Sequence, residues 1–165
     1  MHNTRRLGLL IALGIFLLDQ LVKYIVTGPL QLQEVGQIVL LPSFNLTWVQ
    51  TFGVSMGFLT ADSDTMRWGL VVLTAAIGTG VAVWLWRETS RYDVAALGLV
   101  LGGAAGNILD RARFGYVVDF LDLHFGNFRP FLVFNVADAA ITVGVVILLG
   151  RALFARPTLT ENVNA

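Results

Sequence analysis

Two carboxylates set among apolar residues are the groups in this sequence best suited to chemistry. Asp119 lies in Val117-Val118-Asp119-Phe120, and Asp138 lies inside a long apolar run. Alone, an aspartate in a loop such as Asp119 is read as a turn or cap residue. A second carboxylate, Asp138, on a helix toward which that loop dips makes a shared site the better reading. Carboxylates sharing a site do not both ionise readily, so one keeps its proton. The ionised partner can then take a proton from water while the other polarises a scissile carbonyl. That is aspartyl-protease chemistry, and it uses no metal, serine or cysteine.

Helical spacing supplies supporting groups. Asp19 and Lys23 form an i,i+4 pair with the acid first, the favourable order. Asn107 shares a face with Asp110 and Arg111, and Asn135 shares one with Asp138. Asp19, Asp110 and Asp138 therefore reach one level from three separate apolar segments, and ionisable residues inside such segments tend to mark function. Gly98, Gly102 and Gly106 recur every fourth residue, a stripe that lets a neighbouring helix approach closely and reads as packing. Competing constellations are thin. The chain has no cysteine, and of its two histidines, His2 and His124, neither has a partner at ligand spacing, so no metal site is expected. A Ser55–Lys23 nucleophile pair is disfavoured because Lys23, the sole lysine, already has Asp19 beside it.

The elements that must position these groups are membrane helices. Hydrophobic residues make up 56% of the 165 and charged residues 13%, too apolar for a soluble domain of this size. The formal net charge is zero, which gives no reason to expect a nucleic-acid partner. Four stretches, 7–26, 66–86, 94–109 and 131–154, are candidates to cross a bilayer. The third is short, so its ends are expected to extend into the flanking polar segments. The first contains Asp19 and Lys23 and lacks a small-residue cleavage site, so it reads as a retained helix rather than a signal peptide. Arg5, Arg6, Arg87, Arg91, Arg151 and Arg156 fall on one side and Arg67, Arg111, Arg113 and Arg129 on the other, which places both termini in the cytoplasm.

A first outer insertion, 30–61, has alternating runs, Leu30-Gln31-Leu32-Gln33 and Phe44-Asn45-Leu46-Thr47-Trp48, and reads as strand-containing. Its Trp48, Phe52 and Phe58 suit an interfacial position. The second outer segment, 110–130, mixes charges with many aromatics and reads as a loop dipping into the interface. The fourth helix is expected to start at Pro130, placing Asp138 about 12 Å below the outer boundary. Residues 1–156 form one membrane domain, and the polar tail 157–165 is expected to be disordered. The fold class is thus membrane all-α: four transmembrane helices with a small extracytoplasmic strand-containing cradle after the first.

Four segments together resemble the lipoprotein signal peptidase (signal peptidase II) family. Asp19-Gln20-Leu21-Val22-Lys23 is similar to its D-Q-x-x-K, and the segment from Gly102 to Arg111 to G-G-A-x-G-N-x-x-D-R. Val117-Val118-Asp119-Phe120 is similar to V-x-D-F, and Phe134-Asn135-Val136-Ala137-Asp138 to F-N-x-A-D. The resemblance implies a bacterial inner-membrane endopeptidase that removes the signal peptide of diacylglyceryl-modified prolipoproteins just before the lipidated cysteine. Asp119 and Asp138 would be the catalytic dyad, with Asn107, Asp110, Arg111 and Asn135 shaping the pocket and Asp19 and Lys23 supporting the fold near it. It also implies a cradle on the membrane surface and a lid around 53–61, beginning at Gly53. No cofactor is implied; the partners are prolipoprotein and membrane lipid, and a monomer suffices.

One element departs from the pattern. Thr51-Phe52-Gly53 stands where the family usually has Asn-x-Gly, and Met56 where phenylalanine is common. A single hydroxyl in place of an amide weakens a two-sided hydrogen bond to substrate backbone. The departure is therefore expected to affect substrate positioning more than the dyad. Two other classes compete with the peptidase: a small proton-coupled transporter subunit, and a non-catalytic membrane subunit whose acids merely pair with Lys23 and Arg111.

Overall fold

The computed structural model describes residues 2–53, 64–126 and 128–154. Its long helices are α1 (His2–Thr27), α3 (Asp64–Arg87), α4 (Arg91–Phe114) and α5 (Val136–Phe154). All four are long and apolar enough to cross a membrane, at 19 to 24 residues over the windows 4–27, 64–87, 91–114 and 136–154. Their outward faces carry exposed leucine, valine, isoleucine and aromatic side chains, as surfaces in contact with lipid would.

The third helix is longer than the apolar run 94–109, as its shortness implied. Ser90 caps its start by accepting a hydrogen bond from the Asp93 N–H, and Gly115, at φ 85°, ends it by donating to the Arg111 carbonyl. α4 is also the central element, with α1, α3 and α5 packed on it. The glycine stripe makes this possible. A Cβ on Gly98 or Gly102 would run into the carbonyl of Gly8 or Ala12 on α1, and one on Gly103 into the carbonyl of Ala137 on α5. α3 and α5 both lean on α4 without packing extensively on each other.

Between α1 and α3 the chain forms a one-turn helix α2 (Leu32–Val35), then β1 (Gln37–Leu41) and β2 (Phe44–Thr51). The Leu30–Gln33 alternation therefore does not make a strand. Gln31 adopts a left-handed conformation at φ 46°, turning the chain into α2, which buries Leu32 completely. Trp48 packs against the core of Val26, Leu32, Leu46, Val118 and Phe120, so it is a core partner more than an interfacial anchor. Phe52 remains exposed; Phe58 lies outside the described residues.

Two expectations for the second outer segment need correction. First, 110–130 is not simply a loop: β3 (Val117–Leu123) completes a three-stranded antiparallel sheet in the order β1-β2-β3. Second, the fourth helix does not begin at Pro130. Phe134 instead pairs with Leu121 of β3 through reciprocal backbone hydrogen bonds of 2.8 and 3.0 Å, holding that stretch extended up to Asn135. Asp138 is consequently in the first turn of α5 rather than two turns inside it.

Candidate active site

Asp138 is positioned by the start of its helix. The Asn135 side-chain oxygen accepts the Asp138 N–H at 2.8 Å, and the Asp138 carboxylate accepts the Asn135 N–H at 3.3 Å. This is a capping box, in which the cap residue and the third helical residue satisfy each other's free N–H groups. The other Asp138 oxygen accepts the Asn107 amide of α4 at 2.8 Å.

Asp119 is positioned by the sheet. One of its oxygens accepts the Asn135 amide at 2.7 Å, and the other accepts the Thr51 hydroxyl of β2. Asn135 thus contacts both aspartates, and its amide also reaches the Asn107 side-chain oxygen at 3.2 Å. The Asp119 carboxyl is 4% exposed. Burial pushes its pKa from 3.8 up to about 7, opposed by the Thr51 hydroxyl, reinforced by the Asp138 charge, and opposed again by Asn135 and Lys23.

Behind these two acids lies a second layer. Lys23 Nζ stands 2.7 Å from both Asp19 and Asp110 and 3.4 Å from the Asn107 oxygen. Asp19 also accepts the Ala137 N–H at 2.9 Å, and Asp110 accepts the Val118 N–H at 3.2 Å. The first ties α1 to the start of α5, and the second ties α4 to β3 just ahead of Asp119. Lys23 is therefore not merely a neutralising partner for Asp19. It is the cation of a buried triad whose acids hold the backbone around both Asp119 and Asp138. Gly106 leaves the room that this requires, since a Cβ there would lie 2.5 Å from an Asp19 oxygen.

These groups border a cavity of about 670 Å³. Thr51, Gly53, Asn107, Arg111, Asp119 and Asp138 line it, whereas Asn135, Asp110, Asp19 and Lys23 act from behind. The rest of the wall is mostly apolar: Leu70, Leu73 and Ile77 of α3 on one side, Leu132, Val133 and Phe134 ahead of α5 on the other. The apolar part thus lies between α3 and the extended segment that leads into α5. Arg111 has its charge beside Asp138, Asp119 and Asp110, and Arg67 of α3 holds the end of its helix by donating to the Arg111 carbonyl at 2.8 Å.

The ten residues singled out in the sequence fall into one connected region, with two differences in detail. The Thr51 hydroxyl is bonded to Asp119, so the departure at that position bears on the acid pair directly. The remainder of the expected lid, 54–61, lies outside the described residues, as do Ser55, Met56 and the tail 157–165. Gln20, which the sequence alone marks only as part of a motif, donates its amide to Asp110 at 3.1 Å. A glutamine one residue after Asp19 in an apolar helix was the available signal.

The Signal peptidase (SPase) II family model matches residues 11–154. The lipoprotein signal peptidase of Rhizorhabdus wittichii is 56% identical over 163 residues, 98% of this chain and 95% of the relative. That of Sphingopyxis alaskensis is also 56% identical, over 90% of this chain and 86% of the relative. A bacterial membrane enzyme determined by the in meso method at 2.3 Å superposes with a TM-score of 0.78 at 25% identity, covering 96% of this chain and 93% of that one. With a family match that runs from within α1 to the end of α5, the chain belongs to the signal peptidase II family and is a multi-pass membrane peptidase.

Proposed function

We propose that the chain cleaves diacylglyceryl-modified prolipoproteins just before the lipidated cysteine, with Asp119 and Asp138 as a catalytic dyad. The observation that carries this reading is that two aspartates from different elements, a strand and a helix start, border the polar end of one largely apolar cavity. The apolar wall formed by α3 and the segment ahead of α5 suits a substrate that arrives by lateral diffusion with its acyl chains and signal helix still in the bilayer.

In the reaction, the ionised aspartate takes a proton from water as the water oxygen bonds to the scissile carbonyl carbon. The protonated aspartate gives its proton to the carbonyl oxygen, producing a neutral tetrahedral diol. Collapse of the diol breaks the C–N bond, the amine nitrogen leaves with a proton returned by the first aspartate, and the second aspartate recovers its own. Arg111 supplies a fixed positive charge beside the pair, and Asn107 and Asn135 hold the carboxylates by donated hydrogen bonds. On the arginine distribution, both termini are cytoplasmic and the site is at the extracytoplasmic side of a bacterial inner membrane. All of these groups come from one chain, so one copy suffices.

The test is cleavage of a lipidated prolipoprotein by purified protein in detergent, comparing wild type with Asp119→Asn and Asp138→Asn. Cleavage before the lipidated cysteine, absent in both folded variants, supports the reading. Undiminished cleavage by either variant overturns the dyad.

A further inference from the structure

β2 does not pair with β3 in one register. Phe44, Asn45 and Leu46 stand opposite Leu123, Asp122 and Leu121, but beyond a bulge Val49, Gln50 and Thr51 stand opposite Asp119, Val118 and Val117. Extending the first register without the bulge would set Trp48 opposite Asp119 and Gln50 opposite Val117. The extra residue reverses which β2 side chains share the Asp119 side. Val49, Thr51, Val117 and Asp119 consequently all line the cavity, and Trp48 goes to the core beneath. β-bulges next to active sites serve to re-aim a side chain in this way.

We propose that Thr51 is a positioning residue for the dyad, its hydroxyl fixing the Asp119 carboxylate in plane. The inference rests on Asp119 and Asp138 acting as proposed above. A hydroxyl in this position can donate its one proton to Asp119 and has no second donor for substrate, unlike an amide. The Asn135 amide holds the opposite Asp119 oxygen, so together the two donors leave the carboxylate no freedom to rotate. A donor to a carboxylate stabilises the charged state against the proton. Among the described residues, the charges that face Asp119 are Asp138 of α5, Lys23 of α1 and Arg111 of α4, and a change at Thr51 leaves all three in place.

The experiment is the pH dependence of kcat and kcat/KM on a lipidated prolipoprotein for Thr51→Val and Thr51→Ser, with Asp119→Asn alongside and thermal melts of each in detergent. Valine keeps the branched shape and loses the donor; serine keeps the donor. With the donor gone, the limb of the kcat profile governed by Asp119 moves to higher pH by about one unit in Thr51→Val and stays in place in Thr51→Ser. A limb unmoved in a folded Thr51→Val, with the loss confined to KM, overturns the inference in favour of a substrate contact. A limb moved equally in both variants overturns it in favour of side-chain bulk. If Asp119→Asn remains active, the dyad itself is wrong, an outcome separate from either.

Discussion

Asn135 and Asp138 cap the same helix for each other: the asparagine side chain accepts the aspartate N–H, and the aspartate side chain accepts the asparagine N–H. The Asn135 amide then donates to Asp119 on the sheet. One side chain therefore starts α5 at the Asp138 N–H and holds the Asp119 carboxylate at once. Capping contributes stability, whereas the Asp119 contact contributes geometry, and the two can be separated.

In Asn135→Ala both are lost. The helix cap is expected to account for about 1 kcal/mol of stability, and turnover is expected to fall by about 100-fold as the acids lose their common support. Asn135→Ser retains a capping oxygen and has no amide for Asp119. It should melt near wild type yet stay nearly as slow as the alanine variant. Melting curves and cleavage rates of the two variants decide the matter; recovery of turnover in serine would show that only the cap matters.

The helices were legible because apolar runs of this length have few alternatives, and the short third run was expected to extend. What escaped was the sheet's third strand. Val117–Leu123 has aspartates three residues apart at 119 and 122, which breaks the two-residue alternation by which a strand is recognised. The strand is buried on both sides, so even a correct register would show no polar face. Pro130 misleads as a marker for the start of α5, and the cap pattern Asn135-Val136-Ala137-Asp138 is the truer boundary signal. The acids themselves were legible, since a carboxylate in an apolar segment stands out. Their partners across the fold, such as Thr51 with Asp119, depend on a bulge that no local pattern announces.

Stability should respond to pH through Asp119. Its pKa in the folded protein is raised to about 7 from 3.8, chiefly by burial. A raised acid binds more protons folded than unfolded, so its stabilising contribution is complete below about pH 4 and is lost as pH rises toward about 7. Thermal melts in detergent across that window should show wild type losing stability relative to Asp119→Asn as pH rises. Parallel curves for the two proteins would contradict the assignment.

Lys23 faces two carboxylates, so its removal should be costlier than removal of either acid. Lys23→Met leaves Asp19 and Asp110 buried without their cation and is expected to lower stability by about 3–5 kcal/mol. Asp19→Asn leaves Lys23 paired with Asp110 and should lose less. Chemical or thermal unfolding of both proteins ranks them; the reverse order would mean that the Ala137 contact of Asp19 outweighs the charge pairing.

Gly106→Ala isolates the room that the buried triad needs. The added methyl would lie 2.5 Å from an Asp19 oxygen, so the carboxylate must shift, whereas the Ala137 side chain at 3.6 Å is in ordinary contact. Overpacking of this kind costs about 1–3 kcal/mol. The displaced group is the one that receives the Ala137 N–H one residue before Asp138, so turnover should fall along with stability. Gly80→Ala in α3 is the control: nothing lies within 4 Å of the added methyl. A methyl there relieves only the helix's own conformational entropy, and stability should be unchanged or slightly raised. Equal melting temperatures and equal cleavage rates for the two alanine variants would show that α1 and α5 can yield at Gly106 without moving either aspartate.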